Sequence, residues 1–375
     1  MTAARGRFSE HPVALGSFRS WLRLLLHNRT VDAAFLPRAL FVTATTLLSS
    51  PLRMWESVRH GRAVRDTSIH PEPVFIVGHW RSGTTHLQNL LCQDQQFGFL
   101  STFQAMVPSF CLSGERILKP FLAQQAARRY PTRLIDNIPL TFDAPQEDEF
   151  AMAALSDQSF LHGFTFPRRA GEYFDRYVMF EGLSNAEQSD WVQTYLGMLK
   201  KVTLSRRGRR LLSKCCAHSA RIPTLLQLFP RARFIHIHRN PYDVFASTLH
   251  MHKTVFPRSQ LQHVSPERIR ANVLTFYERL MKRLFDDWET IPPGQRAIVR
   301  FEDLERLPME QLASIYDALR LPGYPAAEAA FLRYLDAVAG YRKNEYRIDG
   351  RTIETVNDRW GFAFDALGYK RRTPS

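Results

Sequence analysis

A glycine-containing stretch near residue 80 carries residue types that bind phosphate groups. Gly78 and Gly83 are separated by four residues, and Thr84 and Thr85 follow. The apolar run before Gly78 predicts a strand, and the leucines after Thr85 predict a helix. Backbone N–H groups and the positive helix end would therefore meet at this turn. A nucleotide-hydrolysing phosphate loop has lysine directly after the second glycine, whereas the cation here is Arg81, two residues before Gly83.

The missing lysine argues against phosphoryl transfer from a magnesium-bound nucleotide. The loop instead fits a nucleotide-type anion that is bound without the usual lysine and metal ion, and it indicates sulfuryl transfer.

A second block of the sequence contains Lys214, Arg239 and Ser247. Lys214 and Arg239 each follow or end an apolar run that predicts a strand. Ser247 comes eight residues after Arg239, two turns into a predicted helix that begins at Asn240 and Pro241. A guanidinium group and a hydroxyl can therefore converge on one phosphate group.

Together the two blocks resemble those of the PAPS-dependent sulfotransferases, over about residues 70–330. The resemblance is to the bacterial lipid and small-molecule branch and, more distantly, to the tyrosylprotein sulfotransferases. PAPS is the sulfuryl donor 3′-phosphoadenosine-5′-phosphosulfate, and PAP is its product. The resemblance implies a loop that holds the 5′-phosphate and a second pair that holds the 3′-phosphate. The donor-binding residues it implies are Arg81, Ser82, Gly83, Thr84, Thr85, Arg239 and Ser247.

The same resemblance suggests the catalytic residues. A fixed cation beside the leaving oxygen stabilises the growing negative charge, and Arg81 and Lys214 are the candidates. The acceptor hydroxyl also needs a general base. Tyrosylprotein sulfotransferases have a glutamate a little over twenty residues after the loop, where this chain has residues Ser-Thr-Phe-Gln at 101–104. We therefore consider Glu147 first, then Asp148, with His218 as a second choice. Acidic residues here are equally typical of a helix N-terminus.

The alternation of predicted strands and helices indicates an α/β fold. We expect a P-loop-like parallel sheet flanked by helices, with strands at about 74–77, 211–214, 233–238 and 297–301. The predicted parts are an N-terminal helical extension (1–70), a sulfotransferase domain (71–340) with a mainly helical acceptor-binding insertion (93–210), and a basic C-terminal segment (341–375). That last segment contains Arg342, Lys343, Arg347, Arg351 and Arg359.

The N-terminal extension is expected to form helices at 18–26 and about 40–59. Pro37, Arg38, Pro51 and Arg53 interrupt its apolar run, which leaves about thirteen apolar residues where a membrane span needs about twenty. We therefore do not expect it to cross a bilayer. It either packs on the core or lies at a membrane interface.

Composition restricts the remaining possibilities. Lys and Arg outnumber Asp and Glu by 50 to 36, but the positive charge is dispersed and no nucleic-acid-binding motif is present, so we expect an anionic cofactor and lipid rather than nucleic acid. Four cysteines without a disulfide pattern, and no secretory signal, indicate the cytoplasm. Neither Cys215-Cys216-x-His218 nor His236-x-His238 has metal-ligand spacing, so we expect no metal.

The sequence thus predicts a PAPS-dependent O-sulfotransferase that acts on a lipidic or apolar alcohol. A small-molecule kinase with the same fold is the alternative enzyme. A catalytically silent module that binds PAP or lipid is the alternative from another class.

Overall fold

The protein contains a five-stranded sheet whose strands are all parallel. The computed structural model describes residues 11–129, 141–340 and 346–374, so Arg342 and Lys343 lie outside the described residues. The strands are β1 (Val74–Val77), β2 (Phe97–Gly98), β3 (Arg210–Lys214), β4 (Arg233–His238) and β5 (Arg296–Arg300). Their order in the sheet is β2-β3-β1-β4-β5. The predicted α/β class with a parallel sheet is confirmed.

Helices make up most of the rest of the described chain. In the N-terminal half they are α1 (Phe18–Asn28), α2 (Leu36–Leu48), α3 (Ser50–Asp66), α4 (Thr84–Leu91), α5 (Thr102–Met106), α6 (Cys111–Arg129), α7 (Asp148–Leu155), α8 (His162–Thr165), α9 (Ala170–Tyr177) and α10 (Asn185–Ser205). Those that follow β3 are α11 (Ile222–Leu228), α12 (Pro241–Ser259), α13 (Pro266–Trp288), α14 (Phe301–Arg306), α15 (Pro308–Ala318), α16 (Tyr324–Val338) and α17 (Gly350–Leu367).

The chain divides into two compact units. The sheet unit comprises Pro71–Gly98, Arg210–Met251 and Pro266–Ser375, and the helical unit comprises Met1–His70, Phe99–Arg209 and His252–Ser265. The N-terminal helices and most of the predicted insertion therefore belong to one unit.

Both faces of the central strand β1 are buried, as is typical inside a parallel sheet. On one face Val74 and Ile76 of β1 pack with leucines of α4. On the other face the ring of Phe75 contacts Phe234, with ring centroids 5.4 Å apart. All four residues of β1 are fully buried. Because β3 and β4 lie on opposite sides of β1, the chain changes direction at this strand, and ligands of such sheets bind at the carboxyl ends of the strands at that point.

The N-terminal helices differ from the expected pair. Where the sequence predicted one helix over about 40–59, the structure has α2 and α3, separated only by Ser49. The division falls just before Pro51, and Pro37 and Pro51 occupy the first turns of α2 and α3, where a missing N–H group costs no hydrogen bond. By length and composition alone, Ala33–Asp66 could cross a membrane, although a core helix or a signal sequence passes the same test.

Candidate functional site

The turn between β1 and α4 is shaped by two glycines that could not be replaced. Gly78 has φ 138° and Gly83 has φ 93°. A Cβ atom on Gly78 would lie 2.3 Å from the carbonyl oxygen of Ile237. One on Gly83 would lie 2.1 Å from the ring of Phe301. The backbone of this loop is therefore held close to β4 and to α14.

The loop also presents backbone donors. Gly83 is the N-cap of α4, and among the described residues no side chain caps this helix. The first N–H groups of a helix have no partner within the helix, and together with the helix dipole they form a ready site for an anion. Ser82 and Thr84 are both buried here. Thr84 begins the helix, and half-buried Thr85 follows it.

Arg81 links the loop to the second block of the sequence. Its φ of 72° is in the left-handed region, which is unfavourable for a residue with a side chain. Its Nε donates a hydrogen bond to Oγ of Ser247 on α12, at 2.9 Å. The structure thus joins residues that are 166 positions apart and that the sequence assigned to opposite ends of one nucleotide.

Two further cations stand at the carboxyl ends of the strands beside β1. Lys214 is the last residue of β3, is buried, and pairs in register with Ile76 of β1. Arg239 directly follows β4. Its guanidinium carbon lies 4.6 Å from the centroid of the Phe301 ring, and its Nη2 is 3.7 Å from a carboxylate oxygen of Asp243. Three cations from β3, β1 and β4 therefore follow adjacent strands at one edge of the sheet, where an anionic ligand is expected.

Comparison with known proteins identifies the family of this chain. The model of the sulfotransferase family matches residues 73–326. The omega-hydroxy-beta-dihydromenaquinone-9 sulfotransferase Stf3 of Mycobacterium bovis is 32% identical over 359 residues, which cover 96% of this chain and 91% of that protein, and the Mycobacterium tuberculosis protein of the same name matches equally. The chain belongs to the sulfotransferase family.

Two solved structures share the fold of this sulfotransferase. Sulfotransferase STF9 from Mycobacterium avium superposes with a TM-score of 0.72 at 19% identity, over 100% of this chain and 99% of that one. Sulfotransferase STF1 from Mycobacterium tuberculosis gives a TM-score of 0.68 at 18% identity, over 92% of each chain.

The candidate general bases of this sulfotransferase are divided between the units. Glu147 and Asp148 belong to the helical unit, and both are buried at the start of α7. Asp148 accepts a hydrogen bond from the hydroxyl of Tyr195 at 3.0 Å, and Glu147 is the N-cap residue. A carboxylate in this position also complements the helix dipole, so both assignments stay predictions.

His218 belongs to the sheet unit. Its ring is buried and packs edge-on against Phe75 with centroids 5.8 Å apart, while its Nδ1 is 3.4 Å from a guanidinium nitrogen of Arg221. Its role as a base likewise stays a prediction. The segment that replaces the glutamate of other families has a structural explanation, because Ser101 and Gln104 form a capping box at the start of α5.

Sequence reasoning missed Ser219 and Phe301. Oγ of Ser219 accepts a hydrogen bond from the N–H of Gly78 at 2.8 Å and donates one to its carbonyl oxygen at 3.2 Å, which fixes the start of the loop. Phe301 contacts both Gly83 and Arg239. Neither residue belongs to a spacing pattern. For Phe301 the available signal was its place at the end of a predicted strand.

A buried network supports the turn that carries Arg239. Oε1 of Glu302 accepts a hydrogen bond from the N–H of Asn240 at 3.0 Å, and its Oε2 accepts one from the hydroxyl of Tyr369 at 2.7 Å. Burial opposes the charge of Glu302, but these hydrogen bonds outweigh it and lower the pKa of the carboxyl group. Burial also lowers the pKa of His238 to about 4, with Glu302 opposing the shift and Arg300 adding to it. A charged Glu302 therefore holds the turn beside a neutral His238 at neutral pH.

Proposed function

We propose that this sulfotransferase takes its sulfuryl group from PAPS and transfers it to a hydroxyl group of a lipid. The contact between Arg81 and Ser247 carries the donor assignment, because it connects a phosphate-binding loop to the helix that begins at the second predicted phosphate site. The acceptor assignment draws on Stf3, whose name describes a hydroxylated menaquinone derivative, and that protein is similar over almost the whole chain.

In the proposed reaction, the bond between sulfur and the 5′-phosphate oxygen of PAPS breaks as a bond from sulfur to the acceptor oxygen forms. The 5′-phosphate would lie on the N–H groups of the loop at Ser82–Thr85, and Arg239 with Ser247 would hold the 3′-phosphate. Arg81 and Lys214 would stabilise the negative charge that develops on the leaving oxygen. The acceptor proton would pass to a carboxylate, for which Glu147 is our first candidate.

We also propose that the enzyme works in the cytoplasm, in peripheral contact with the membrane that contains its substrate, and that it needs no metal ion. The four cysteines are free thiols, which fits a reducing compartment. In the described part of the chain, no group of three His, Cys, Asp or Glu side chains could hold a metal ion.

The test is turnover with PAPS that carries labelled sulfur, with hydroxylated quinone lipids in detergent micelles as acceptors, in the presence of EDTA. We expect a labelled lipid product, and we expect Lys214→Ala to lower kcat by about a hundredfold or more, as the loss of one charge-stabilising group typically does. Lys282→Ala removes an exposed lysine of the sheet unit and serves as the control.

Two results would overturn the proposal. Preferential use of ATP with Mg²⁺ would favour a kinase, and tight binding of PAP without any turnover over a panel of lipids would favour a silent binding module. Thermal melting of each variant shows whether a lost activity reflects a lost fold.

A further inference from the structure

Exposed apolar side chains are concentrated in the first three helices. Within the described residues, sixteen large apolar side chains are exposed, and ten of them lie in α1, α2 and α3. Single exposed apolar residues are normal on a soluble protein. A concentration in one stretch of chain is typical of an interaction surface.

Helix α2 has two different faces. Its inner face contains Ala39, Val42 and Thr46, which are buried in the helical unit. The opposite face contains Leu36, Leu40, Leu47 and Leu48, which are between 49% and 76% exposed. Leu36 and Leu40 are one helical turn apart, and Leu47 and Leu48 lie about two turns further on, so these residues line one side of the helix.

The inner face of α2 is held firmly. The side chain of Arg38 is buried and donates hydrogen bonds to the carbonyl oxygens of Gln260 at 2.7 Å and Pro257 at 2.9 Å. Trp21 of α1 donates to the hydroxyl of Thr43 at 2.8 Å. A rotation that buried the outer leucines would break these bonds and leave buried polar groups without partners, which is unfavourable.

Helix α3 continues the exposed surface. Its buried residue is Glu56, which accepts hydrogen bonds from the N–H groups of Leu112 and Ser113 and from Nζ of Lys201. Leu52, Met54, Trp55 and Val58 are between 45% and 88% exposed. We call these four residues, with Leu36, Leu40, Leu47 and Leu48, the outer surface.

The stretch of chain that contains the outer surface exposes charges of mainly one sign. In residues 11–66 the exposed arginines are Arg19, Arg23, Arg29, Arg59, Arg62 and Arg65. The exposed acidic residue of the same stretch is Asp66, whose Oδ2 lies 3.7 Å from Nε of Arg62. The guanidinium group of Arg59 lies over the ring of Trp55, 5.5 Å from its centroid. Apolar residues beside arginines, with a tryptophan among them, are typical of helices that lie in a membrane interface.

We propose that the outer surface of α2 and α3 binds an anionic lipid bilayer, with both helices lying in the plane of the membrane. The exposed leucines enter the boundary between headgroups and acyl chains, and the arginines contact lipid phosphates. A helix that crossed the bilayer would have to expose Arg38 and Glu56 to hydrocarbon, and burial of an unpaired charge there is costly. The proposal deepens the peripheral contact proposed above, but it does not depend on the identity of the acceptor.

The experiment is sedimentation of the full chain with phosphatidylcholine vesicles that contain about 30 mol% phosphatidylglycerol. We expect binding that weakens in about 0.5 M NaCl because salt screens the arginines. Leu40→Gln with Leu48→Gln should reduce the partition coefficient at least about tenfold, since two side chains lose their transfer into the lipid. Arg59→Gln with Arg62→Gln should reduce the preference for anionic lipid.

Ile298→Gln with Leu332→Gln is the matched control, because it changes two apolar residues of the sheet unit that are 58% and 46% exposed. It should bind vesicles like the wild type. Equal loss of binding in the control would overturn the proposal. So would membrane-bound protein that resists extraction at high pH, which indicates a spanning helix, or a lipid-free dimer that the leucine variant dissociates, which indicates a second copy on this surface.

Failure of this proposal is distinguishable from failure of the proposed function. With acceptor in detergent micelles, the leucine variant should keep the wild-type kcat and donor KM. A variant that loses micellar turnover as well as vesicle binding contradicts a pure docking role for the outer surface.

Discussion

Arg81 combines an unfavourable backbone conformation with a specific hydrogen bond. A non-glycine residue with positive φ costs of order 1–3 kcal/mol, and such residues persist at sites where the surrounding structure holds them. The bond from Nε to Ser247 is one restraint of this kind. The strain and the bond together suggest that the guanidinium group is positioned before the donor binds, so that binding does not have to order it.

We therefore expect Arg81 and Ser247 to act as one unit in donor binding. Ser247→Ala should weaken PAP binding about tenfold to a hundredfold, the loss of a hydrogen bond to a charged group. Arg81→Lys keeps a positive charge but lacks the Nε donor, and it should weaken binding too. In a calorimetric double-mutant cycle the two losses should not add. Additive losses would contradict the coupling, and Ser57→Ala, on the exposed side of α3, is the control.

Phe301 also makes contacts at the site that the sequence did not predict. One side of the ring leaves no room for a side chain at Gly83, and the guanidinium group of Arg239 lies over the ring. Cation–π contacts contribute about 0.5–2 kcal/mol. A single aromatic ring thus sets the position of both the loop and the second cation.

Replacing Phe301 should change the KM for the donor more than the KM for the acceptor. Phe301→Leu loses the flat ring, so we expect the KM for PAPS to rise about three- to tenfold while the KM for the acceptor stays near wild type. Phe301→Tyr keeps the ring and should restore the wild-type value. If leucine raised both constants equally, or lowered only the melting temperature, Phe301 would serve general packing instead.

At the scale of elements, the sequence predicted the strands and the helix start that depend on neighbouring residues. The bounds of β1 and β4 were predicted correctly, and β3 and β5 differ by one residue, because buried parallel strands are short apolar runs. The N-cap at Asn240 is also confirmed, since its side chain accepts the N–H of Tyr242. Strand β2 was missed because two residues form no pattern. Helices α2 and α3 were merged because only Ser49 separates them, although Pro51 is typical of a first helical turn.

What the sequence could not provide is the set of contacts that depend on the sheet order. Residues at the carboxyl ends of β3, β1 and β4 are adjacent only because β1 lies between the other two. The spacing of Arg239 and Ser247 suggested a phosphate site, but the hydrogen bond from Arg81 to Ser247 follows from the packing of α12 beside the loop. The role of Ser219 was recognised only from the structure, in which its hydroxyl oxygen accepts a hydrogen bond from the N–H of Gly78.

At the scale of the whole molecule, the predicted residues separate by unit. The predicted donor-binding residues, Lys214 and His218 all belong to the sheet unit, whereas Glu147 and Asp148 belong to the helical unit with the outer surface. The surplus of fourteen positive charges attracts anions of any kind. The proposed specificity for a nucleotide donor would therefore depend on the fixed geometry of the loop and strand ends.

Buried histidines make the stability of the protein depend on pH. The ring of His236 is fully buried in β4 beside Trp288, with centroids 5.5 Å apart, and its Nε2 has no hydrogen-bond partner among the described residues. Burial, with a smaller effect of His238, lowers its pKa from the ordinary 6.5 to about 3. Burial also lowers the pKa of His79 and the pKa of His238, each to about 4.

A histidine whose pKa is lower in the folded chain takes up its proton mainly after unfolding. Its contribution to stability is fully present above pH 6.5 and is lost as the pH falls from 6.5 towards the folded pKa. We expect the free energy of unfolding to fall between pH 7 and pH 5, and His236→Phe should reduce that fall by about 1–2 kcal/mol. Urea unfolding at the two pH values measures the difference. His60→Phe, a change at a half-exposed position of α3, should leave the decrease in unfolding free energy unchanged. An equal effect of the two substitutions would show that burial of the His236 ring does not cause this decrease.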